Sequence, residues 1–488
     1  SSPLACLAGR LASPAERRYG ASSSPAVEAV VNLGARISGL YSQAMELRKQ
    51  ARGEPDSDKA AKLRNDEINC YDLILNNPQA RAKGVFSIYI YSLMYKAIAC
   101  NYLGKRREGI ELLMEAEKNI DRTDKSFWRD NKERNRALID ILISLTTLLL
   151  LDLGYRKGAR KDIKEALSAY RRILSVSEAC SPDDKFEVYL QYGDMLGKEM
   201  DYGLALKNLD KAMAIKSRDY QARLLWVTYF MDKLMLDGKD GKLICAQVAK
   251  EFEALEKMPS DRREGLFKTG FHLLKGRFFR LKEEIGRAIE ETDKGLAGIN
   301  NLGGGVSAGS LRAEMLYERG LCKSKSRLAR EAERDFWEAL DMFLDEENTG
   351  EIVLGEEEGL RPLAEYVKER LFKREKRIVL SILLELSVVL IRLNKTEESR
   401  KALALAGMLT ADERGINDLK LEQARIFFDN SGLPQGLRRR LYDYIAGFNF
   451  GSGAFIEERG LGWEELLLFS MFYGQYSLGP GGFSTELF

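Results

Sequence analysis

His272 is the sole imidazole in 488 residues, and that one fact removes a large share of ordinary enzyme chemistry. Zinc sites draw on several His or on grouped Cys, and a Ser or Cys nucleophile usually needs a His base. His272, within TGFHLLKGRFF, has no second His or Cys beside it and reads as a packed or hydrogen-bonded residue. Cys6, Cys70, Cys100, Cys180, Cys245 and Cys322 stand far apart, with no C-x-x-C pair. They read as buried thiols of a reducing compartment. GGGVSAGS, from Gly303, lacks the Lys of a phosphate loop, and GSGAFI, from Gly451, lacks the third glycine of a dinucleotide fingerprint. Both read as turns. No catalytic residue, cofactor, metal or small-molecule substrate is expected.

Charge is balanced overall and uneven locally. The 76 basic and 74 acidic side chains leave a net +2, too little to hold a polyanion by its field. Basic clusters at Lys105–Arg107, Lys373–Arg377 and Arg438–Arg440 read as solvated faces that steer a partner. Residues 345–359 hold seven acids and no base and read as an exposed loop. The apolar runs 141–151 and 378–393, the second interrupted by Glu385, are too short or too charged to span a bilayer. No transmembrane segment is predicted.

The elements that would carry these residues are helices. Only 10 Pro and 31% charged residues favour helix over sheet, and from about 26 to 430 amphipathic helical patterns alternate with short polar turns. The clearest unit spans 186–220. Gly193 lies on its first helix, Ala205 and Ala212 on its second, with Leu209 between them. Small residues at such points let two backbones approach closely.

This unit resembles the tetratricopeptide repeat (TPR), a helix hairpin with small residues at these places and a large apolar residue between the last two. The same spacing recurs at Ala97, Gly109, Leu113 and Ala116; at Gly154, Ala166 and Tyr170, where Ile173 breaks the rule; and at Gly276, Ala288, Thr292 and Gly295. It recurs again at Gly320, Ala332, Phe336 and Ala339, and at Ser387, Ser399, Leu403 and Ala406. The second-helix positions are 57, 39, 83, 44 and 67 residues apart, so insertions or degenerate pairs such as 222–256 must lie between. The resemblance implies an all-α, right-handed α-solenoid of TPR-like hairpins, about eight to ten by chain length. A TPR subclass grips carboxylate termini with Lys and Asn; Asp194 and Arg277 do not fit that pattern, and chaperone tails are not expected partners.

Four segments follow: an extended Ser/Ala/Arg-rich stretch 1–25, a helical cap 26–85, the solenoid 86–430, and a docking or capping segment 431–488. In the last, twelve aromatics from Tyr442 onward alternate with glycine; Phe448, Phe450, Trp463, Phe472 and Tyr473 are candidate docking residues. A concave groove would bind partner proteins through Tyr189, Tyr192, Phe271 and Lys275. The expected role is non-enzymatic: a scaffold, structural subunit or assembly factor of a larger complex. The alternative is an organellar RNA-binding repeat protein of the pentatricopeptide type, with nucleic acid the less favoured partner. Residues 1–25 hold three Arg and one acid, the composition of a transit peptide. That points to an organelle interior (plastid stroma or lumen, or mitochondrial matrix) ahead of the cytoplasm.

Overall fold

A computed structural model describes residues 25–154, 160–176, 178, 180–237, 239–258, 266–300, 306–344, 357–393 and 395–410. The segments 1–24 and 411–488 lie outside it, as do residues 345–356 of the acidic stretch. Among the described residues there is no strand. None of their helices is long and apolar enough to cross a membrane. The chain divides into two compact units between Leu148 and Leu149.

The first unit contains α1 (Pro25–Gly53), α2 (Ser57–Leu75), α3 (Phe86–Tyr102), α4 (Arg106–Arg122) and most of α5 (Asn131–Gly154). Asp56 caps α2 by accepting from the N–H groups of Asp58 and Lys59. On α4, Gly109, Ile110, Leu113, Ala116 and Ile120 are buried, a helical stripe that lies against α3. A Cβ on Gly109 would stand 2.7 Å from the Ala97 carbonyl oxygen, so the two backbones touch where both residues are small. Tyr41, Tyr71 and Tyr95 form a ring cluster between α1, α2 and α3, with centroids 6.2–6.5 Å apart.

The second unit continues with α6 (Arg160–Ser175), α7 (Pro182–Lys198), α8 (Tyr202–Ile215), α9 (Tyr220–Leu236), α10 (Gly241–Glu256), α11 (Leu266–Leu281) and α12 (Ile285–Asn300). Then come α13 (Val306–Lys325), α14 (Ala329–Leu344), α15 (Glu357–Arg370), α16 (Lys373–Arg392) and α17 (Thr396–Thr410). Hairpins α7/α8, α9/α10, α11/α12, α13/α14 and α16/α17 follow one another, second helix against next first helix. These are TPR-like helix hairpins. The two widest spacings have separate sources. Hairpin α9/α10 fills the gap between Ala205 and Ala288, and α15 is an extra helix: α14 packs directly on α16, while α15 lies mainly against α17.

One turn is used repeatedly. Gly104, Met200, Glu283 and Arg327 all have φ between 62° and 76°, and each stands five residues before the small residue of its second helix. In each case the next N–H donates to the carbonyl five residues back: Lys105 to Cys100, Asp201 to Leu196, Glu284 to Phe279, Leu328 to Lys323, all at 2.9 Å. This is the Schellman closure of a helix end. Three of the four left-handed residues are not glycine, so the hairpin geometry imposes the conformation against side-chain preference.

Candidate functional site

Charged residues that read as surface in the sequence meet at the centre of the second unit. The first helices of its hairpins contact one another in a closed series: α7 with α9, α9 with α11, α11 with α13, α13 with α16, and α16 with α7 again. Residues three, four or seven apart on a helix share a face. Arg277 and Arg280 on α11, Glu314, Tyr317 and Glu318 on α13, and Arg374, Arg377 and Ser381 on α16 are such sets, and Asp232 on α9 faces them.

Arg277 donates Nη1–H to Asp232 Oδ1 at 2.8 Å and Nε–H to Glu318 Oε1 at 2.6 Å. Arg280 donates to Glu318 Oε2 at 2.7 Å. Arg374 donates to Asp232 Oδ2 at 2.6 Å and, bidentate, to the two oxygens of Glu314 at 2.5 and 2.8 Å. All six are buried. Burial alone would push both carboxyls up and the guanidiniums down. The partners outweigh it: Arg374 and Arg277 hold Asp232 below its ordinary value, Arg280 and Arg277 do the same for Glu318, and Arg277 and Arg374 are raised. Asp232, Glu318, Arg277 and Arg374 stay ionised at neutral pH.

Beside this network lies a partly open cleft of about 50 Å³. Tyr202, Tyr317, Arg377 and Ser381 line it together with the paired arginines. Arg377 differs from its neighbours. It is 8% exposed, its Nε has no hydrogen-bond partner, and burial pushes its guanidinium below the ordinary value. A second polar group stands nearby: Tyr229 donates to Asp194 Oδ1 at 2.5 Å, and Lys198 pairs with the same carboxylate at 2.8 Å.

The ring is closed by α16 meeting α7. The Lys373 N–H reaches Glu199 Oε1 at 3.4 Å, Arg160 holds both Glu199 oxygens at 3.1 Å, and the Lys198 ammonium lies 5.7 Å from the Phe372 ring centroid. Arg374 and Arg377 of the basic cluster are therefore interior residues, and the reading of that cluster as a solvated face is corrected.

The residues singled out from the sequence lie elsewhere. Phe271 is in the core against Tyr220 and Phe252. Tyr192 is buried with its ring 5.7 Å from that of Tyr170. Tyr189 is half-buried beneath Lys211, and Lys275 pairs with Glu256 at 3.0 Å. None lines the cleft. His272 Nδ1 is 2.9 Å from Glu291 Oε2. The small residues Ala97, Ala116, Ala166, Gly193, Ala205, Ala212, Gly276, Ala288, Gly295, Gly320, Ala332, Ala339, Ser387 and Ala406 are buried. Gly154 and Ser399 lie on α5 and α17. Phe448, Phe450, Trp463, Phe472 and Tyr473 lie outside the described residues. Among the described residues no group of three or more His, Cys, Asp or Glu is placed to hold a metal ion. The missed residues carried one signal: Arg277 and Arg280 stand three apart on α11 and bracket Phe278 and Phe279.

No known family profile matches the sequence, and no curated protein matches it. Among solved structures it is similar to a monomeric mutant of IFIT1 with m7Gppp-AAAA, at 15% identity and TM-score 0.38, over 89% of this chain and 86% of that one. A second monomeric IFIT1 mutant, with Gppp-AAAA, is similar at 14% identity and TM-score 0.38, over 90% of this chain and 92% of that one. A circular tandem repeat protein with novel repeat topology is similar at 14% identity and TM-score 0.20, over 91% of this chain and 98% of that one.

Proposed function

We propose that the protein is a non-enzymatic scaffold, a structural subunit or assembly factor that presents a helical-repeat surface to other proteins. The observation that carries this reading is the closed ring of first helices. With that inner face occupied by arginine–carboxylate pairs, the second helices are the surface on offer, and Leu204 and Ile215 on α8 and Leu243 on α10 are exposed on it at 46%, 37% and 44%. Stacked hairpins hold such residues in fixed relation over a long face, the property that suits repeat proteins to assembly. Recognition is accordingly placed on the outer helices, and on the aromatic segment from Tyr442, in preference to a concave groove. The Ser/Arg-rich composition of residues 1–25 supports an organelle interior as the place of action.

The test is native affinity capture of the full chain from source cells, with mass spectrometry and sizing of the intact assembly. Recovery in fixed ratio with defined proteins is the expected result. Recovery alone, or salt-sensitive retention on RNA, would overturn the reading and favour the pentatricopeptide-type alternative.

A further inference from the structure

The arginine cleft of the second unit does not balance its own charge. Four guanidiniums (Arg277, Arg280, Arg374, Arg377) face three carboxylates (Asp232, Glu314, Glu318), and every pairing within hydrogen-bond range goes to the first three arginines. Arg377 is left as a cation more than nine-tenths buried, lining a cleft of about 50 Å³. A buried, unpartnered guanidinium is costly. Glu375, on the same helix, is not among the residues that line the cleft; its carboxylate accepts from the Phe372 N–H and the Ser310 hydroxyl. Glu385, near Tyr317, and Lys325, near Glu385, bring one charge of each sign.

We propose that this cleft binds one carboxylate group, received by Arg377 with the Tyr202 hydroxyl as a second donor. Three features select that chemistry. One unit of excess positive charge matches a monoanion; a phosphate monoester, at nearly two negative charges, would leave the cleft net negative. Arg377 lines the cleft and its guanidinium has no carboxylate partner among the described residues, and the planar donor fork of a guanidinium fits two oxygens of one carboxylate, which chloride cannot engage. The space suits a group of a few heavy atoms, several times the room one water requires. Tyr202 lines the same cleft, and burial keeps its phenol protonated and able to donate. The carboxylate comes either from a free small acid or from a polypeptide, and the cleft recognises the feature the two share. This site is independent of the scaffold reading, because partner proteins bound to the outer helices would leave it unchanged.

The test is calorimetric titration of the full chain at low, matched ionic strength in sodium fluoride, with acetate, acetyl-Glu-amide and acetylglycine as carboxylates and with phosphate and chloride as rivals. Saturable binding of a carboxylate at one site is expected, at least tenfold tighter than phosphate or chloride. It should weaken at least tenfold in Arg377→Met and several-fold in Tyr202→Phe, a variant that keeps the ring and tests the site should Arg377→Met fail to fold. Preference for acetyl-Glu-amide or acetylglycine over acetate assigns the source to an acidic side chain or a chain terminus; the reverse assigns it to a free acid. No binding, equal binding of phosphate or chloride, or full affinity in both variants overturns the proposal. Affinity capture is read separately, so either idea can fail alone.

Discussion

Arg374 on α16 donates its Nε–H to Oδ2 of Asp232 on α9 at 2.6 Å, across 142 residues of sequence. Asp232 also accepts from Arg277, so one carboxylate joins three first helices. Replacing it with Asn leaves two guanidiniums facing an amide in a water-poor interior. We expect Asp232→Asn to lower the stability of the second unit by about 3 kcal/mol, read as a fall in the urea midpoint without a change in slope.

The same carboxylates set an acid limit. Asp232 and Glu318 are held below their ordinary values of 3.8 and 4.5, so between the ordinary and folded values the unfolded chain binds more protons. Their contribution is complete above about pH 5 and is lost as the pH falls through the lower, folded values. Acid titration followed by circular dichroism should show stability falling below pH 4, with a shallower slope in Asp232→Asn. An unchanged slope would mean that Asp232 is not the group being protonated.

How far the sequence could be read depends on which interactions are local. Gly193, Ala205 and Ala212 mark a hairpin because close backbone approach demands small side chains at fixed separations, and that demand is written within about 35 residues. The ring closure is not local. Nothing near Asp232 or Arg374 in the sequence says that they meet, and a charged residue on a helix is ordinarily solvated. Curvature accumulated over several hairpins decides their burial. The common turn carries no mark in the sequence: Met200, Glu283 and Arg327 occupy a left-handed position without the glycine that usually announces it. Phe271 and Tyr192 are aromatic residues of first helices, which suits a groove in sequence, but their rings pack on the preceding helices, Phe271 on Tyr220 and Phe252 and Tyr192 on Tyr170.

Glu283 tests that turn. It is exposed, with φ 63°, and glycine adopts this conformation without the strain of a Cβ. Glu283→Gly should stabilise the second unit by about 1 kcal/mol, measured as a rise in melting temperature. A loss would show that the Glu283 side chain contributes more than the strain it imposes.

Gly320 and Gly39 should respond in opposite ways to alanine. A Cβ on Gly320 would stand 2.6 Å from the Phe336 ring, whereas one on Gly39, exposed within α1, meets nothing within 4 Å. Gly320→Ala should cost about 1–3 kcal/mol by overpacking. Gly39→Ala should gain up to about 1 kcal/mol in helix propensity. Denaturant titrations of each variant against the parent decide both.

Thiol chemistry reports burial directly. Burial raises the Cys100 and Cys245 thiols to about 11 and Cys322 to about 12. At pH 8 their thiolate fractions lie about a hundredfold or more below that of a free thiol. Iodoacetamide labelling mapped by peptide mass should modify these three only after denaturant is added; prompt native labelling of any of them would contradict the packing.

The contact of α16 with α7 changes how the second unit comes apart. An open row of repeats frays from its ends, each hairpin leaving at the cost of one neighbour interface. Here the α16/α17 hairpin also clasps α7 through Glu199 and Lys373, 174 residues apart, and shares the Asp232 carboxylate with the middle of the row. Peeling it away breaks both attachments at once and strips Arg374 of both its carboxylate partners. Native-state hydrogen exchange would then find α7 and α16 opening together, as a single cooperative block with no gradient running inward from the terminus.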